Sequence, residues 1–134
     1  MKVRKGITLI ELIIVLAVIV IIGAILVPNF LSTTDKARLK SDIQSARVLS
    51  NALELYNAEQ TVKIKSTLIA DIIKELSDKG YIDQKQVLIQ TEAASWALDA
   101  SGSLIVVDIS KCSAAVRDNV YDQLSDQEKR YVRG

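Results

Sequence analysis

Histidine is absent from the 134 residues, and cysteine occurs once, as Cys112. Without histidine the chain lacks the commonest general base and the commonest transition-metal ligand. A lone cysteine cannot form an internal disulfide, the usual staple of small secreted domains, and without a base beside it Cys112 is no credible nucleophile. It reads as a small buried or half-buried residue, with interchain pairing as the alternative. Charge of one sign is missing too: 17 basic residues face 16 acidic ones, so nothing argues for nucleic acid as a specific partner. Aromatic residues are few. Tyr56, Tyr81, Tyr121 and Tyr131 trace no path along a helix that could conduct electrons, and Trp96, beside an apolar run, reads as core. None of Asn29, Asn51, Asn57 and Asn119 begins an Asn-x-Ser/Thr sequon. Asp118, Asp122 and Asp126 recur every four residues but lack the glycine-centred loop of a calcium hand, so they read as a solvated helix face. No catalytic residue, metal site or cofactor is expected.

What the chain does have is a long apolar run. From Ile7 to Val27 the only polar side chains are Thr8 and Glu11, and no further charge appears until Asp35. As a helix these residues cover about 31 Å, close to the ~30 Å of a bilayer core. An ionised acid at a bilayer centre costs roughly 2.5–3.5 kcal/mol and somewhat less near an interface, so Glu11 needs a partner. Lys2, Arg4 and Lys5 precede Gly6. By the positive-inside rule this basic end stays cytoplasmic and the bulk of the chain lies outside. An ordinary secretory signal does not fit, because the run is too long and Gly23-Ala24 is followed by Ile25-Leu26-Val27 with no Ala-x-Ala site. A plain single-span anchor does not explain Glu11.

A basic stretch ending in Gly6, then Ile7-Thr8-Leu9-Ile10-Glu11 and an apolar helix, resembles the class III leader of type IV pilins and pseudopilins. The resemblance covers roughly residues 1–58. It implies that a prepilin peptidase cuts between Gly6 and Ile7, that Ile7 becomes the N-methylated amino terminus, and that Glu11 is the charged assembly residue. Pro28 matches a proline that many family members carry, and Ile7 departs from the commoner phenylalanine. Removing residues 1–6 takes three of the seventeen basic residues and leaves fourteen against sixteen acids, a slightly acidic mature chain.

The chemistry of that motif follows independently. Cleavage would liberate an α-amino group with an ordinary pKa of about 7.7–8.0, largely cationic at neutral pH. Ile7 and Glu11 are four residues apart, on one helix face, and the helix dipole favours an acid in the first turn. Amine and carboxylate should pair, within one chain or between neighbours. An intermolecular pair favours one stagger of adjacent helices, since any other leaves two charges unmatched.

The expected fold is α+β: a long amino-terminal helix, transmembrane in its first half and amphipathic in its second, packed on a small antiparallel sheet head with extra helices. The expected boundaries are a leader at 1–6, a transmembrane and filament-core helix at 7–28, an amphipathic half at 29–58 and a globular head at 59–134. The helix should run from about Ile7 to Asn57, bent or weakened between Gly23 and Pro28. In some pili of the family a comparable segment unwinds. Leu39, Ile43, Ala46, Leu49, Leu53 and Tyr56 form one apolar stripe at three- and four-residue spacing, while Asp42 and its charged neighbours lie mostly off it. A polar link, 58–65, should lead to a second helix from Ser66 to Lys79, with Leu68, Ile69, Ile72, Ile73 and Leu76 inward and Gly80 as terminator. Strands are expected at 87–91, 95–99 and 103–109, with a turn at 99–102 and with Ile105, Val107 and Ile109 inward. A helix capped by Ser110 or Ser113 should follow to Leu124. Ser125 to Glu128 has capping-box form, and the charged tail 126–134 is expected loose or against a neighbour.

The resemblance implies a structural subunit of a type IV pilus, for adhesion or twitching motility. It would be a single-pass membrane protein before assembly and part of an extracellular filament afterwards. The alternatives are a pseudopilin of a type II secretion or competence DNA-uptake system, or a minor pilin. The implied partners are copies of itself in a helical homopolymer, the prepilin peptidase, an inner-membrane platform protein and an assembly ATPase. A different class, a membrane-tethered binding module, would keep its leader and tolerate loss of Glu11.

Overall fold

The computed structural model describes residues 6–61, 64 and 66–134, and of Pro28 and Asn29 the backbone only. The basic leader residues and part of the 58–65 link lie outside that set. The chain divides into two compact units, one ending at Thr33 and the other spanning Thr34–Gly134.

Helix α1, Leu9–Glu59, contributes to both. In the first unit the side chains from Leu9 to Val27 are exposed, apart from half-buried Gly23. Among the described residues α1 is the one helix long and apolar enough to cross a membrane. Helical assignment continues through Gly23 and Pro28.

In the second unit the 3.6-residue stripe of α1 becomes core. Leu39, Ile43, Ala46 and Leu49 have no accessible surface, and Leu53 and Tyr56 are nearly as buried. Two apolar clusters share this face. Leu39, Ile43 and Ala46 pack with Val107, Ile109, Val116, Val120, Leu124 and Val132. Leu49, Leu53 and Tyr56 pack with Ile72, Ile73, Leu76, Val87 and Ile105. Trp96 lies half-buried against both clusters.

Helix α2 is Ile69–Asp78, shorter at its start than expected. Ser66 does not cap it: its Oγ accepts from the Leu68 N–H at 3.2 Å, a local turn two residues before the helix. Leu68 is the N-cap and is exposed, so it leaves the predicted buried face to Ile72, Ile73 and Leu76. Gly80 ends α2 as predicted. At φ +80° it lets its own N–H reach the Ser77 carbonyl and the Tyr81 N–H reach the Leu76 carbonyl, the paired bonds of a Schellman turn.

The sheet differs from expectation. Strands β1, Ser95–Leu98, and β2, Ile105–Asp108, are antiparallel, with Trp96 opposite Val107. The third strand, β3, is Val132–Arg133, parallel to β2, so the sheet is mixed. The predicted strand 87–91 is absent, and its backbone bonds explain why. The Gln90 and Thr91 N–H groups donate to Asp42 Oδ1 and Oδ2, each at 2.8 Å, instead of to a neighbouring strand. Asp42 itself is fully buried. The turn between β1 and β2 forms as predicted, with Gly102 at φ +70° and Asp99 Oδ1 accepting from the Ser103 and Leu104 N–H groups. Burial alone would raise the Asp99 carboxyl; the bonds from Ser101, Leu104 and Ser103 outweigh it and hold its pKa below the ordinary value.

Beyond the sheet, Ala115–Val120 is a π-helical turn, continued by Tyr121 and Asp122. Its first bonds run from the Val116 and Arg117 N–H groups to the Ser113 carbonyl, and Ala114 between them already has helical dihedrals and makes no side-chain cap bond. Cys112 is buried beside it with Sγ donating to the Glu92 carbonyl, and burial pushes its thiol pKa up. The capping box at Ser125 is present and starts α3, Asp126–Lys129.

The tail is therefore docked. Lys40 Nζ lies 3.2 Å from Glu128 Oε1, the Arg47 guanidinium stacks 5.3 Å from the Tyr131 ring centroid, and the Val107 and Ile109 N–H groups donate to the Tyr131 and Arg133 carbonyls.

Candidate assembly site

The residues singled out at the amino terminus fall where α1 begins. Gly6 and Ile7 precede the helix and are exposed. Thr8 is its N-cap in geometry: the Leu12 N–H donates to the Thr8 carbonyl at 3.2 Å, the first bond of the helix. The Glu11 N–H donates to Thr8 Oγ1 at 3.3 Å, and the Thr8 N–H donates to Glu11 Oε2 at 3.5 Å. These reciprocal bonds are a capping box that satisfies two of the donors a helix start leaves unpaired. Glu11 thus has a partner within the uncut chain, and its carboxylate is held in the first turn, where the dipole favours it.

Thr8 is the residue that the sequence reading missed. Thr-x-x-Glu ahead of an apolar run is a capping-box signal in its own right, beside the unpaired charge and the first-turn position that single out Glu11. The structure brings Thr8 and Glu11 together next to the Gly6–Ile7 bond. Gly23 and Pro28 belong elsewhere: twelve residues of helix, about 18 Å, separate Glu11 from Gly23. A Cβ added at Gly23 would meet nothing within 4 Å, so packing does not require glycine there.

Apolar side chains surround the charged residue. Leu9, Ile10, Leu12, Ile13, Ile14 and Val15 are all at least half exposed, so the single acid stands at one end of an uncovered hydrocarbon surface. Such a surface is stable in lipid or against other helices like itself, and not in water.

Comparison with known proteins now bears on this segment. Residues 1–27 match the family described as the prokaryotic N-terminal methylation motif. The chain opens with a class III prepilin-type leader. A curated relative from Clostridium perfringens (strain 13 / Type A), prepilin peptidase-dependent protein A, is 38% identical over 66 residues. That alignment covers 49% of this chain and 47% of the relative, so the chain spans about half the length of the relative it matches. No solved structure matches significantly. The prepilin-type leader therefore rests on both comparisons, and the α+β head on the structure alone.

Proposed function

We propose that this chain is a structural subunit of a type IV pilus, cut after Gly6 by a prepilin peptidase and polymerised into a surface filament. Residues 1–6 are the removed leader, 7–28 the membrane and filament-core helix, 29–58 its amphipathic half and 59–134 the head. The observation that carries this reading is the uncovered apolar helix starting at Leu9 with one carboxylate, Glu11, in its first turn. A membrane-anchored precursor accommodates that surface in lipid, and a helical homopolymer accommodates it against identical neighbours.

The Thr8–Glu11 box supplies a route between the two states. In the precursor the carboxylate accepts from Thr8 and its charge has no cationic partner among the described residues. Cutting the Gly6–Ile7 bond creates an amine one residue before the Thr8 N–H. Glu11 then pairs with an Ile7 amine, its own or a neighbour's, and methylation of Ile7 leaves that amine cationic. Gly23 and Pro28 weaken the helix between them, since glycine costs about 1 kcal/mol of helix propensity and proline removes a bond. A platform protein and an assembly ATPase are the machinery such a polymer calls for.

Electron microscopy of sheared surface material, with amino-terminal sequencing of its main band, tests the proposal. Abundant long fibres whose subunit begins at Ile7 support it. A mature chain starting at Ile7 without surface fibres reassigns it to a pseudopilin of a secretion or DNA-uptake system. A protein that still carries Met1 on cells competent for filament assembly overturns it.

A further inference from the structure

Among the described residues the second unit leaves four large aliphatic side chains at least half exposed: Val48, Leu55, Leu68 and Leu88. They fall into two pairs. Val48 and Leu55 are seven residues apart on α1, on the side away from the buried stripe, so they line up along the helix. The residues beside them on that side, Gln44, Ser45, Asn51 and Ala52, carry no charge. The pair makes a neutral ridge about 10 Å long.

Leu88 belongs to a groove. An open space of about 430 Å³ lies between α2, the 87–89 segment and β1, walled by Ile69, Ile73, Leu88, Ile89 and Trp96. Leu68 adjoins it through Ile69. None of the lining side chains is charged. The groove stays open because Asp42 draws the Gln90 and Thr91 N–H groups towards α1, so 87–91 does not pair along the outer edge of β1. Ridge and groove do not meet within one chain: α2 and Val87 pack on the stripe of α1, and the ridge faces the other way.

We propose that the Val48–Leu55 ridge of one copy seats in the α2–β1 groove of another copy of this chain. Both surfaces are uncharged, so joining them desolvates no ion, whereas a charged partner would leave its ions unmatched in either. Each covers the apolar side chains that the other exposes to water. Because ridge and groove are separate patches, each copy offers both at once, and the contact is heterologous. It passes from copy to copy, where a ridge-on-ridge contact would close a dimer and leave the groove bare. The contact rests on the filament reading proposed above and deepens it by naming where one second unit meets the next.

Val48 and Leu88 are exposed, so changes there should leave the fold intact, which circular dichroism of each variant checks. With Val48→Cys and Leu88→Cys in one chain, copper-phenanthroline oxidation of intact cells should give a ladder of dimers, trimers and higher species on non-reducing gels. Either change alone should give no ladder, and the unaltered chain, whose Cys112 is buried, should stay uncrosslinked. In sheared preparations Val48→Glu and Leu88→Lys should each lower fibre yield about tenfold, and the two together should restore it to within about twofold, since the new charges then face one another. Absence of the ladder overturns the contact, as do dimers formed by Val48→Cys alone or a double charge variant no better than the singles. The crosslink is read on cells before shearing, so the two failures stay apart. A ladder without surface fibres upholds the contact and sinks only the pilus; fibres starting at Ile7 without a ladder sink only the contact.

Discussion

The two stretches of α1 on either side of Thr33 and Thr34 are built from the same aliphatic residue types and meet opposite fates. Before that point no leucine, isoleucine or valine is buried; after it, every stripe residue from Leu39 to Tyr56 is. Composition decides the difference. The first stretch is apolar around the whole circumference, so no single head could cover it. The second confines its apolar residues to one face and carries charge on the rest, so one layer suffices. The first stretch therefore needs a medium, and the second needs only its own chain.

The contrast is most severely tested at its one exception, Glu11. Replacing it with glutamine keeps hydrogen-bonding capacity toward Thr8 but removes the charge. If the stretch assembles as proposed, Glu11→Gln abolishes fibres in sheared preparations while leaving the precursor in the membrane; normal fibres would refute that reading. A paired truncation measures the difference in burial directly. Leu49→Ala should cost about 2–5 kcal/mol in urea denaturation of the head followed by Trp96 fluorescence, whereas Leu16→Ala should change it by less than about 0.5 kcal/mol.

Asp42 sharpens the comparison from the polar side, as a fully buried acid on the covered stretch. Asp42→Ala strands the Gln90 and Thr91 N–H groups, costing about 1–3 kcal/mol for each that water cannot reach, and should speed amide exchange across 87–94. Ala93 follows those donors at φ +61°, a left-handed conformation that costs a side-chain-bearing residue roughly 1–2 kcal/mol. Ala93→Gly relieves that and gives back part through unfolded-chain entropy, so a net gain of about 0.5–1 kcal/mol is expected as a higher melting temperature.

The smallest effect concerns pH. Backbone and hydroxyl hydrogen bonds from Ser125, helped by Lys40, pull the Glu128 carboxyl from the ordinary 4.5 down to about 2. Because the folded value is the lower one, the unfolded chain takes up the proton more readily. The stabilisation is complete above about pH 4.5 and is lost as pH falls through about 2. Protection of the Val107 and Ile109 amides, which donate to the tail, relative to the free-peptide exchange rate at the same pH should fall across that window, and Glu128→Gln should remove the dependence.

Much of this was legible from spacing. The buried stripe of α1, the Gly80 terminator, the turn at Gly102 and the Ser125 box are local patterns, each fixed by residues within one or two turns of one another. What escaped was non-local. Val87 to Thr91 has the composition of a strand, and only a carboxylate more than forty residues earlier diverts its backbone. Val132 and Arg133 have too little length to register as a strand and become one because β2 offers an open edge. Val106, which alternation puts on the face opposite Ile105 and Val107, is buried as well. At the candidate site the residues Gly6, Ile7 and Glu11 were legible as a motif, while Thr8 was overlooked although its pattern is local.

The docked tail also bears on the order in which the chain matures during synthesis. The cluster around Leu49, Leu53 and Tyr56 needs nothing beyond Ile105, whereas the one around Leu39, Ile43 and Ala46 includes Val132. A ribosome delivering this protein thus releases the material for the distal cluster first. The stripe nearest the apolar stretch stays without its full cover until the final strand emerges, a window in which a chaperone or a premature stop would find that part of α1 still open.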